Sequence, residues 1–275
     1  MGRRQRAAPR FRVARWLHRR LSAQCRSLYV KTEFNRGAAA GEDPDFGRGT
    51  PHYDRWIGDP TAPHPTPPSE GLMDYSRLSM PLGEAMFTQR AIRRFRPDPL
   101  PLADLRLILE AAVKAPNGGN QQVARFLVVT DPATIREFGA LYHEAWWAKR
   151  HDEGFERRDD LPPLFHAAAG LADAMKDVPC IVFALALRNG SADSVIPAVQ
   201  NLMLAARALG IGSVPTTLHP SVMARFREMF GIPDDVAFHF CVPLGYPQGN
   251  FGPNVRKPIS ETTFLDRWDG PVPWS

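Results

Sequence analysis

The sequence predicts one α+β or α/β domain from about residue 80 onward, and two observations support that class. Segments with apolar residues at helical spacing alternate with short strands rich in β-branched residues over residues 80–275. One segment, "SVIPAVQNLMLAARALG" at 194–210, is apolar on nearly every face, which predicts a central buried helix ending at Gly210. With 275 residues, 44% of them hydrophobic and 23% charged, the chain is long enough to bury such a core.

Three further segments carry helical spacing and defined ends. Residues 101–116, "PLADLRLILEAAVKAP", place leucine and isoleucine on one face until Pro116 stops the helix. Residues 131–151 open with Asp131 as the N-cap and Pro132 at the first helical position. Residues 219–231, "HPSVMARFREMFG", have a proline near the start and a glycine after the end. We therefore expect helices over these three ranges as well.

Four segments are predicted to be strands. They are "ARFLVVTD" at 124–131, "PCIVFALAL" at 179–187, "GSVPTTL" at 212–218 and "VAFHFCVPLGYP" at 236–247. The second is apolar throughout, as expected for a strand buried on both faces. In the last, one face is predicted to lie in the core because apolar residues alternate at Val236, Phe238, Phe240, Val242 and Leu244.

The net charge of +5 is unevenly distributed along the chain. Residues 1–36 hold 11 Lys/Arg and one acidic residue, whereas the remaining 239 residues hold 23 Lys/Arg and 28 Asp/Glu. The basic character therefore belongs to an extension of net charge +10, and the body carries −5, which argues against a nucleic-acid-binding face on the main domain.

Residues 1–79 form a basic and then Pro/Gly-rich extension that we expect to be poorly ordered and to stay outside the active site. Three interpretations of the basic part stay open. It is a transit peptide of the Arg-rich amphipathic type, a helix that docks on a membrane surface or a partner, or a dispensable extension from an upstream start codon.

Several reaction classes lack their sequence signatures. No "GxxxxGK[ST]" phosphate loop and no "GxSxG" elbow occurs, and the eight histidines lack metal-ligand spacing. The three cysteines are too few for a disulfide framework, so we expect a reducing, cytoplasmic location with Cys180 and Cys241 as buried, inert thiols. The longest apolar run, "CIVFALAL", has 8 residues, which is too short to span a bilayer. Chemistry supplied by a bound cofactor is therefore favoured.

Four segments occur in an order that resembles the FMN-dependent nitroreductase family over roughly residues 80–270. They are "QRAIRRF" at 89–95, "APNGGNQQ" at 115–122, "VQNLMLAARALGIGSVPTTL" at 199–218 and "PLGYPQGNFGPNVRKP" at 243–258. From the residues alone, the alternative for the first segment is a solvated basic turn, and for the second a Gly-rich helix stop followed by a turn fits equally well. In combination and in this order, they identify the chain as similar to that family.

The resemblance implies a set of FMN-binding positions. Arg90 and Arg256 are expected at the phosphate, and Arg93 beside the N1–O2 edge of the ring, where a cation favours the charge gained on reduction. Main-chain N–H groups of Thr217 or Leu218 are expected at N5. No catalytic side chain beyond the flavin and no metal is implied. The full expected set is Gln89, Arg90, Ala91, Arg93, Pro116, Asn117, Gly118, Asn120, Gln122, Pro215, Thr216, Thr217, Leu218 and Arg256.

Three of these positions depart from the residues that are frequent in the family. Gln89 stands where Arg is common, Ala91 where Ser is common, and Asn117 where Ser is common. Gln89 still offers a hydrogen bond and Ala91 only its backbone, which weakens the local phosphate assignment. Asn117 keeps a polar tip. In the family the loop at 115–122 reaches the flavin of the other subunit.

The fold implied by the resemblance is a three-layer nitroreductase-like sandwich, with a mixed central sheet flanked by helices, in an intertwined homodimer. The implied activity moves two electrons from NAD(P)H through FMN to a small flat acceptor such as a nitroaromatic or quinone. The alternatives are a non-catalytic, flavin-sequestering protein and a relative that uses reduced flavin for dehalogenation or oxygen-dependent flavin breakdown. Residues 141–176 are predicted to form a lid, whose aromatic residues either stack on substrate or pack internally.

Overall fold

A computed structural model describes residues 75–274, and the predictions for residues 1–74 lie outside the described residues. A 3-10 turn at Tyr75–Leu78 precedes the first α-helix. The α-helices are α1 (Leu82–Thr88), α2 (Leu102–Val113), α3 (Pro132–Asp152), α4 (Pro163–Ala174), α5 (Val195–Ala208) and α6 (Met223–Phe230). The strands are β1 (Ala124–Val129), β2 (Cys180–Ala186), β3 (Gly212–Ser213) and β4 (Ala237–Gly245).

The four strands form one sheet in the order β1-β2-β4-β3. All three neighbouring pairs are antiparallel. The expected mixed character is confined to an isolated parallel bridge between Ala91 and Ser213, at the β3 edge. The predicted strand at 212–218 is only two residues long, although an antiparallel bridge between Thr216 and Cys241 continues the pairing with β4.

Helices cover both faces of the sheet, which confirms the three-layer α+β sandwich. On one face, Phe183 of β2 packs against Phe138 of α3 and Phe226 of α6, with ring centroids 4.8 and 5.0 Å apart. On the other face, Val182 of β2 joins Ile108 of α2 and residues of α5 in a second buried cluster. Strand β2 is buried along its entire length, as its continuous apolar run predicts.

Strand β4 does not keep the simple alternation that its sequence predicts. Its register against β2 shifts between Ala184 and Leu185, where Phe240 and then Phe238 are the partners. The extra residue, His239, turns Phe238 toward the α3 side while Phe240 packs on the α5 side. The prediction that Phe238 and Phe240 share one face is therefore wrong, because a bulge separates them.

The local signals at helix ends are confirmed. The Asp131 carboxylate accepts a hydrogen bond from Thr134 N at 2.8 Å and lies before Pro132 at the start of α3. Hydrogen bonds from the Thr134 side chain and backbone lower the pKa of Asp131. Gly231 ends α6 in the left-handed conformation, at φ 60°. Helix α5 buries Leu202 and Ala206 completely, as expected for a central helix.

Candidate functional site

The arginine-rich segment runs as an extended turn along the β3 edge of the sheet. Gln89 caps α1 with extended backbone, and Ile92 N then donates to Ser213 O at 3.0 Å. Ile92 is buried against Gly212, so the residues on either side of it point outward. Arg90 is exposed and Arg93 is half-buried. The segment is therefore anchored by one apolar side chain and presents its guanidinium groups away from the core.

Three of the four arginines in this turn have no acidic partner among residues 75–274. Arg90, Arg93 and Arg94 form no ion pair or side-chain hydrogen bond within that range. Arg96 differs, because it pairs with Asp98 at 3.5 Å and lies over the Tyr246 ring at 5.0 Å. Clustered guanidinium groups without carboxylates are the donor set that a phosphate requires.

The C-terminal segment lies beside this turn. Gln248 N donates to Arg94 O at 3.1 Å, and Arg96 N donates to Tyr246 O at 2.8 Å. Farther along, Asn254 N donates to Phe87 O at 2.9 Å, which brings the chain just before Arg256 to the end of α1. Arg256 itself is exposed, and its Nη1 donates only to the adjacent Val255 O at 2.9 Å.

Lys257, the other basic residue of this segment, pairs with Glu261 at 3.3 Å. Its charge is therefore compensated inside the segment, whereas the Arg256 guanidinium is left without an acidic partner among the described residues. Of the two, Arg256 is the one free to bind an anion.

The segment expected at the flavin N5 continues from β3 at the same edge. Thr216 and Cys241 exchange two backbone hydrogen bonds of 2.8 Å, which fix the segment against β4. Beyond that bridge, neither Thr217 N nor Leu218 N meets a hydrogen-bond partner in the described part of the chain. Pro215 and Thr217 are exposed. Two main-chain donors are thus available to an acceptor atom of a ligand.

The loop at 116–122 is the second polar segment, and it is mostly exposed. Asn117 Oδ1 accepts from Gln122 N at 2.8 Å, and Gly118 N donates to Ser194 Oγ at 3.1 Å. Asn120 and Gln122 have left-handed φ values of 53° and 50°. The loop therefore has a defined, locally strained shape in which Asn120 and Gln122 are exposed.

Sheet register places this loop at the corner opposite the arginine turn. The loop leads into Ala124, which pairs with Ala186 at one end of the sheet, at the β1 edge. The arginine turn is bridged to Ser213 through Ala91, and Ser213 pairs with Leu244 at the other end, at the β3 edge. The two corners are separated by three inter-strand spacings, about 14 Å across the sheet, and by six residues, about 20 Å along the strands. The structure does not bring the two parts of the expected site together within one chain.

Two buried polar residues, Tyr142 and Arg150, were missed by the sequence analysis. Tyr142 of α3 is buried, and burial raises the pKa of its phenol far above the usual value, opposed by the Thr216 hydroxyl and by the charges of Arg93 and Arg150. Thr216 Oγ1 is buried and has no hydrogen-bond partner of full geometry among the described residues. Its polar neighbours are the Tyr142 hydroxyl and the Cys241 thiol. A tyrosine on an amphipathic helix gives no signal of this kind in the sequence.

Arg150 is the other missed residue, and it organises the predicted lid. Its side chain is only 6% exposed, donates to Glu153 at 3.0 Å and lies 4.3 Å from the Phe165 ring centroid. Burial lowers the pKa of this guanidinium, opposed by Glu153. The Trp146 ring lies 5.1 Å from the same guanidinium. In this structure Trp146 and Phe165 therefore pack on a buried cation, which supports the packing interpretation of these aromatic residues.

Neither thiol in the described part of the chain, Cys180 or Cys241, supplies a reactive group. Burial raises the pKa of Cys180 to about 12, and it raises that of Cys241 further. Both side chains are completely buried, which confirms the prediction of inert thiols. Among residues 75–274, no cluster of three or more His, Cys, Asp or Glu side chains is placed to hold a metal ion. None of the helices described between those limits has the length and hydropathy needed to cross a bilayer.

Comparison with known proteins identifies a matching family and several relatives. Residues 87–246 match the model of the nitroreductase family. The chain is 32% identical over 199 residues to an NADH dehydrogenase of Thermus thermophilus, covering 64% of this chain and 91% of the relative. It is 27% identical to an iodotyrosine deiodinase of Thermotoga neapolitana, covering 63% and 90%.

A solved structure shows the same fold. The FMN-dependent nitroreductase NfnB from Mycobacterium smegmatis, solved in complex with NADPH, superposes with a TM-score of 0.54 at 22% identity. The match covers 70% of this chain and 100% of that one. The family match spans the arginine turn, the polar loop and β4, and because it covers more than half of the sequence, the chain belongs to the nitroreductase family.

Proposed function

We propose that the protein is an FMN-dependent oxidoreductase that moves two electrons from NAD(P)H to a small flat acceptor. The proposal rests on two features of one sheet edge. Arg90, Arg93 and Arg94 have no acidic partner among residues 75–274, and the N–H groups of Thr217 and Leu218 have no acceptor there. Guanidinium groups match a phosphate, and main-chain donors match a ring nitrogen, so this edge offers the two kinds of contact that FMN needs. Bound FMN would supply the electron-transfer chemistry.

The residues of this chain would divide the work of holding the cofactor. Arg90 and Arg256, both exposed, would bind the phosphate, while half-buried Arg93 would face the N1–O2 edge of the ring. The Thr216–Cys241 bridge would keep the Thr217 and Leu218 donors at a fixed height above β4. Gln89 and Ala91 would contribute backbone and amide contacts at the turn, and Pro215 and Thr216 would form the floor under the ring.

A homodimer completes the proposed site. Since the loop at 116–122 and the arginine turn lie at opposite corners of one sheet, Pro116, Asn117, Gly118, Asn120 and Gln122 would reach the flavin of a second copy. Exposed amide side chains on a strained loop are suited to that contact. We place the protein in the cytoplasm, on the basis of its scattered, reduced cysteines.

The direct test is spectroscopic. Purified protein should be yellow, with one FMN per chain, and should bleach on addition of NADH or NADPH under argon. Re-oxidation by nitroaromatics and quinones would then identify the acceptor class. A protein that holds FMN and stays yellow in both nucleotides would be a flavin-sequestering protein, and a colourless protein that binds no added FMN would contradict the proposal.

Dehalogenation is the second candidate, and one relative supports it. That relative carries the name iodotyrosine deiodinase and is similar to the chain over 178 residues. The acceptor screen should therefore include an iodinated phenol next to the quinone. Release of iodide with a two-electron stoichiometry, faster than quinone reduction, would favour dehalogenation over the leading proposal.

A further inference from the structure

The end of helix α1 is capped by a residue from the opposite end of the domain. Asn254 Nδ2 donates to Gln89 O at 2.7 Å and lies 3.4 Å from Met86 O, while Asn254 N donates to Phe87 O at 2.9 Å. The last carbonyls of a helix have no partner within the helix, so one side chain and its own backbone satisfy this end. Asn254 lies 165 positions from Gln89 in the chain.

This cap has a direct consequence for the arginine turn. Gln89 is followed at once by Arg90, so fixing the Gln89 carbonyl fixes the direction in which the chain leaves α1. The same segment places Gly252 beneath the arginine, where a Cβ would lie 3.6 Å from Arg90 Nη1. Gly252 therefore lies within contact distance of the guanidinium, and Asn254 holds its segment against the end of α1.

Arg207 of α5 supports the same junction from the inside. Its Nε donates to Thr88 Oγ1 at 2.9 Å, and its guanidinium lies 4.2 Å from the Phe251 ring centroid. Its Nη2 also lies 3.6 Å from Glu84 Oε1. The Arg207 side chain, which is 11% exposed, therefore joins α1 to the C-terminal segment. Two separate sets of contacts, one from Arg207 and one from Asn254, therefore join α1 to the C-terminal segment. The Asn254 contacts are the ones adjacent to Arg90.

We infer that Asn254 is a positioning residue for the cofactor phosphate: it acts through Gln89 and Arg90 and touches no part of the ring. This inference rests on the proposed function. It predicts a difference between two flavins that a purely structural cap would not produce. Loss of Asn254 should weaken binding of FMN, which carries the phosphate, and leave binding of riboflavin, which lacks it, nearly unchanged.

The test compares the affinities of the apoprotein for FMN and for riboflavin by flavin fluorescence quenching. In Asn254→Ala we expect the FMN Kd to rise about five- to tenfold, the size of one hydrogen-bonded contact, with the riboflavin Kd changing less than about twofold. Asn250→Ala is the matched control, because Asn250 is an exposed asparagine of the same segment and makes no hydrogen bond among the described residues. It should leave both constants unchanged.

A second variant protects the test against misfolding. Asn254→Leu keeps the branched outline of the side chain and the backbone donor to Phe87 and replaces the amide with two methyl groups, so it decides the matter if Asn254→Ala does not fold. Equal weakening of both flavins, or weakening of neither, would overturn the inference. A wild-type protein that binds riboflavin and FMN equally well would overturn it too, whereas a wild type that binds neither would remove the proposed function itself.

Discussion

Arg77 Nη2 lies 2.5 Å from Asp104 Oδ1, and this contact ties the residues before α1 to helix α2. The Asp104 side chain is only 7% exposed, whereas that of Arg77 is 44% exposed. Leu78 packs on the same buried cluster that contains Leu105 and Ile108. The folded body therefore uses side chains that precede Met80, where the sequence analysis began the domain.

This contact predicts a difference between two truncated chains. A chain that starts at Met73 keeps Arg77 and should bind FMN and unfold like the full-length protein. A chain that starts at Met80 leaves the Asp104 carboxylate buried and unpaired, so its free energy of unfolding should fall by about 1–3 kcal/mol. Urea unfolding of both chains measures the difference. Equal stability would mean that the Arg77 contact contributes nothing, and loss of flavin binding from the Met73 chain would show that residues 1–72 contribute to the site.

Gly212 predicts a second effect, on the placement of the arginine turn. A Cβ built at Gly212 would lie 2.7 Å from Ile92 Cγ2 and 2.8 Å from Ile92 Cβ, too close for a rotation of the side chain to relieve. Gly212→Ala should therefore push the Ala91–Arg93 backbone away from β3, lower the melting temperature and weaken FMN binding at least several-fold. Gly83→Ala is the control, since nothing lies within 4 Å of its Cβ position on α1, and it should be neutral or slightly stabilising. Unchanged flavin affinity in Gly212→Ala would show that the position of the arginine turn does not affect flavin binding.

Periodicity and end signals were sufficient to predict helices α2, α3, α5 and α6 and the buried strand β2, whereas α1 and α4 were not predicted. Asp131 with Pro132 and Gly231 carry local, short-range information, and helices α3 and α6 follow from it. The bulge at His239 was not predictable, because it depends on which residue of β2 faces each residue of β4. The residue pattern of one strand does not show the register in which a neighbouring strand pairs with it.

The sequence indicated which kinds of group the candidate site contains, but not which residues hold those groups in position. The arginines of 90–96 indicated an anion, and the structure leaves Arg90, Arg93 and Arg94 without acidic partners among the described residues. Asn254 reaches Gln89 across 165 positions, and such long-range hydrogen bonds leave no trace in local composition. Arg150 reads as a solvated residue in a basic helix end, yet it is buried between Glu153 and Phe165.

The opposite corners of the sheet predict a dimer whose two flavin sites are each shared. Arg90→Ala with Arg256→Ala would disable one half of the site, and Asn117→Ala would weaken the other. When the two defective proteins are unfolded together and refolded, mixed dimers should contain one intact site, so roughly a quarter of all sites should regain normal FMN affinity. Each variant refolded alone is the control. A light-scattering mass of one chain with flavin bound, or no recovery on mixing, would contradict shared sites.

Arg93 should tune the flavin potential as well as bind the cofactor. It is half-buried beside the segment that carries Thr216 and finds no acidic partner among the described residues, so its charge is not compensated locally. A charge contact of this kind is worth about 1–3 kcal/mol, and about 1.4 kcal/mol corresponds to roughly 30 mV for a two-electron couple. Arg93→Ala should therefore lower the two-electron potential by tens of millivolts and slow reduction by NAD(P)H.

Two further variants separate charge from shape in that experiment. Arg93→Lys keeps the charge and loses the guanidinium fork, so it should retain most of the potential if the effect is electrostatic. Arg256→Ala removes an exposed arginine of the C-terminal segment, so FMN affinity should fall while the potential of the bound fraction stays near that of the wild type. Potentiometric titration of the three variants measures the potential, and flavin fluorescence quenching measures the FMN affinity. An unchanged potential in Arg93→Ala would place its guanidinium away from N1, and the arginine turn would then act on the phosphate alone.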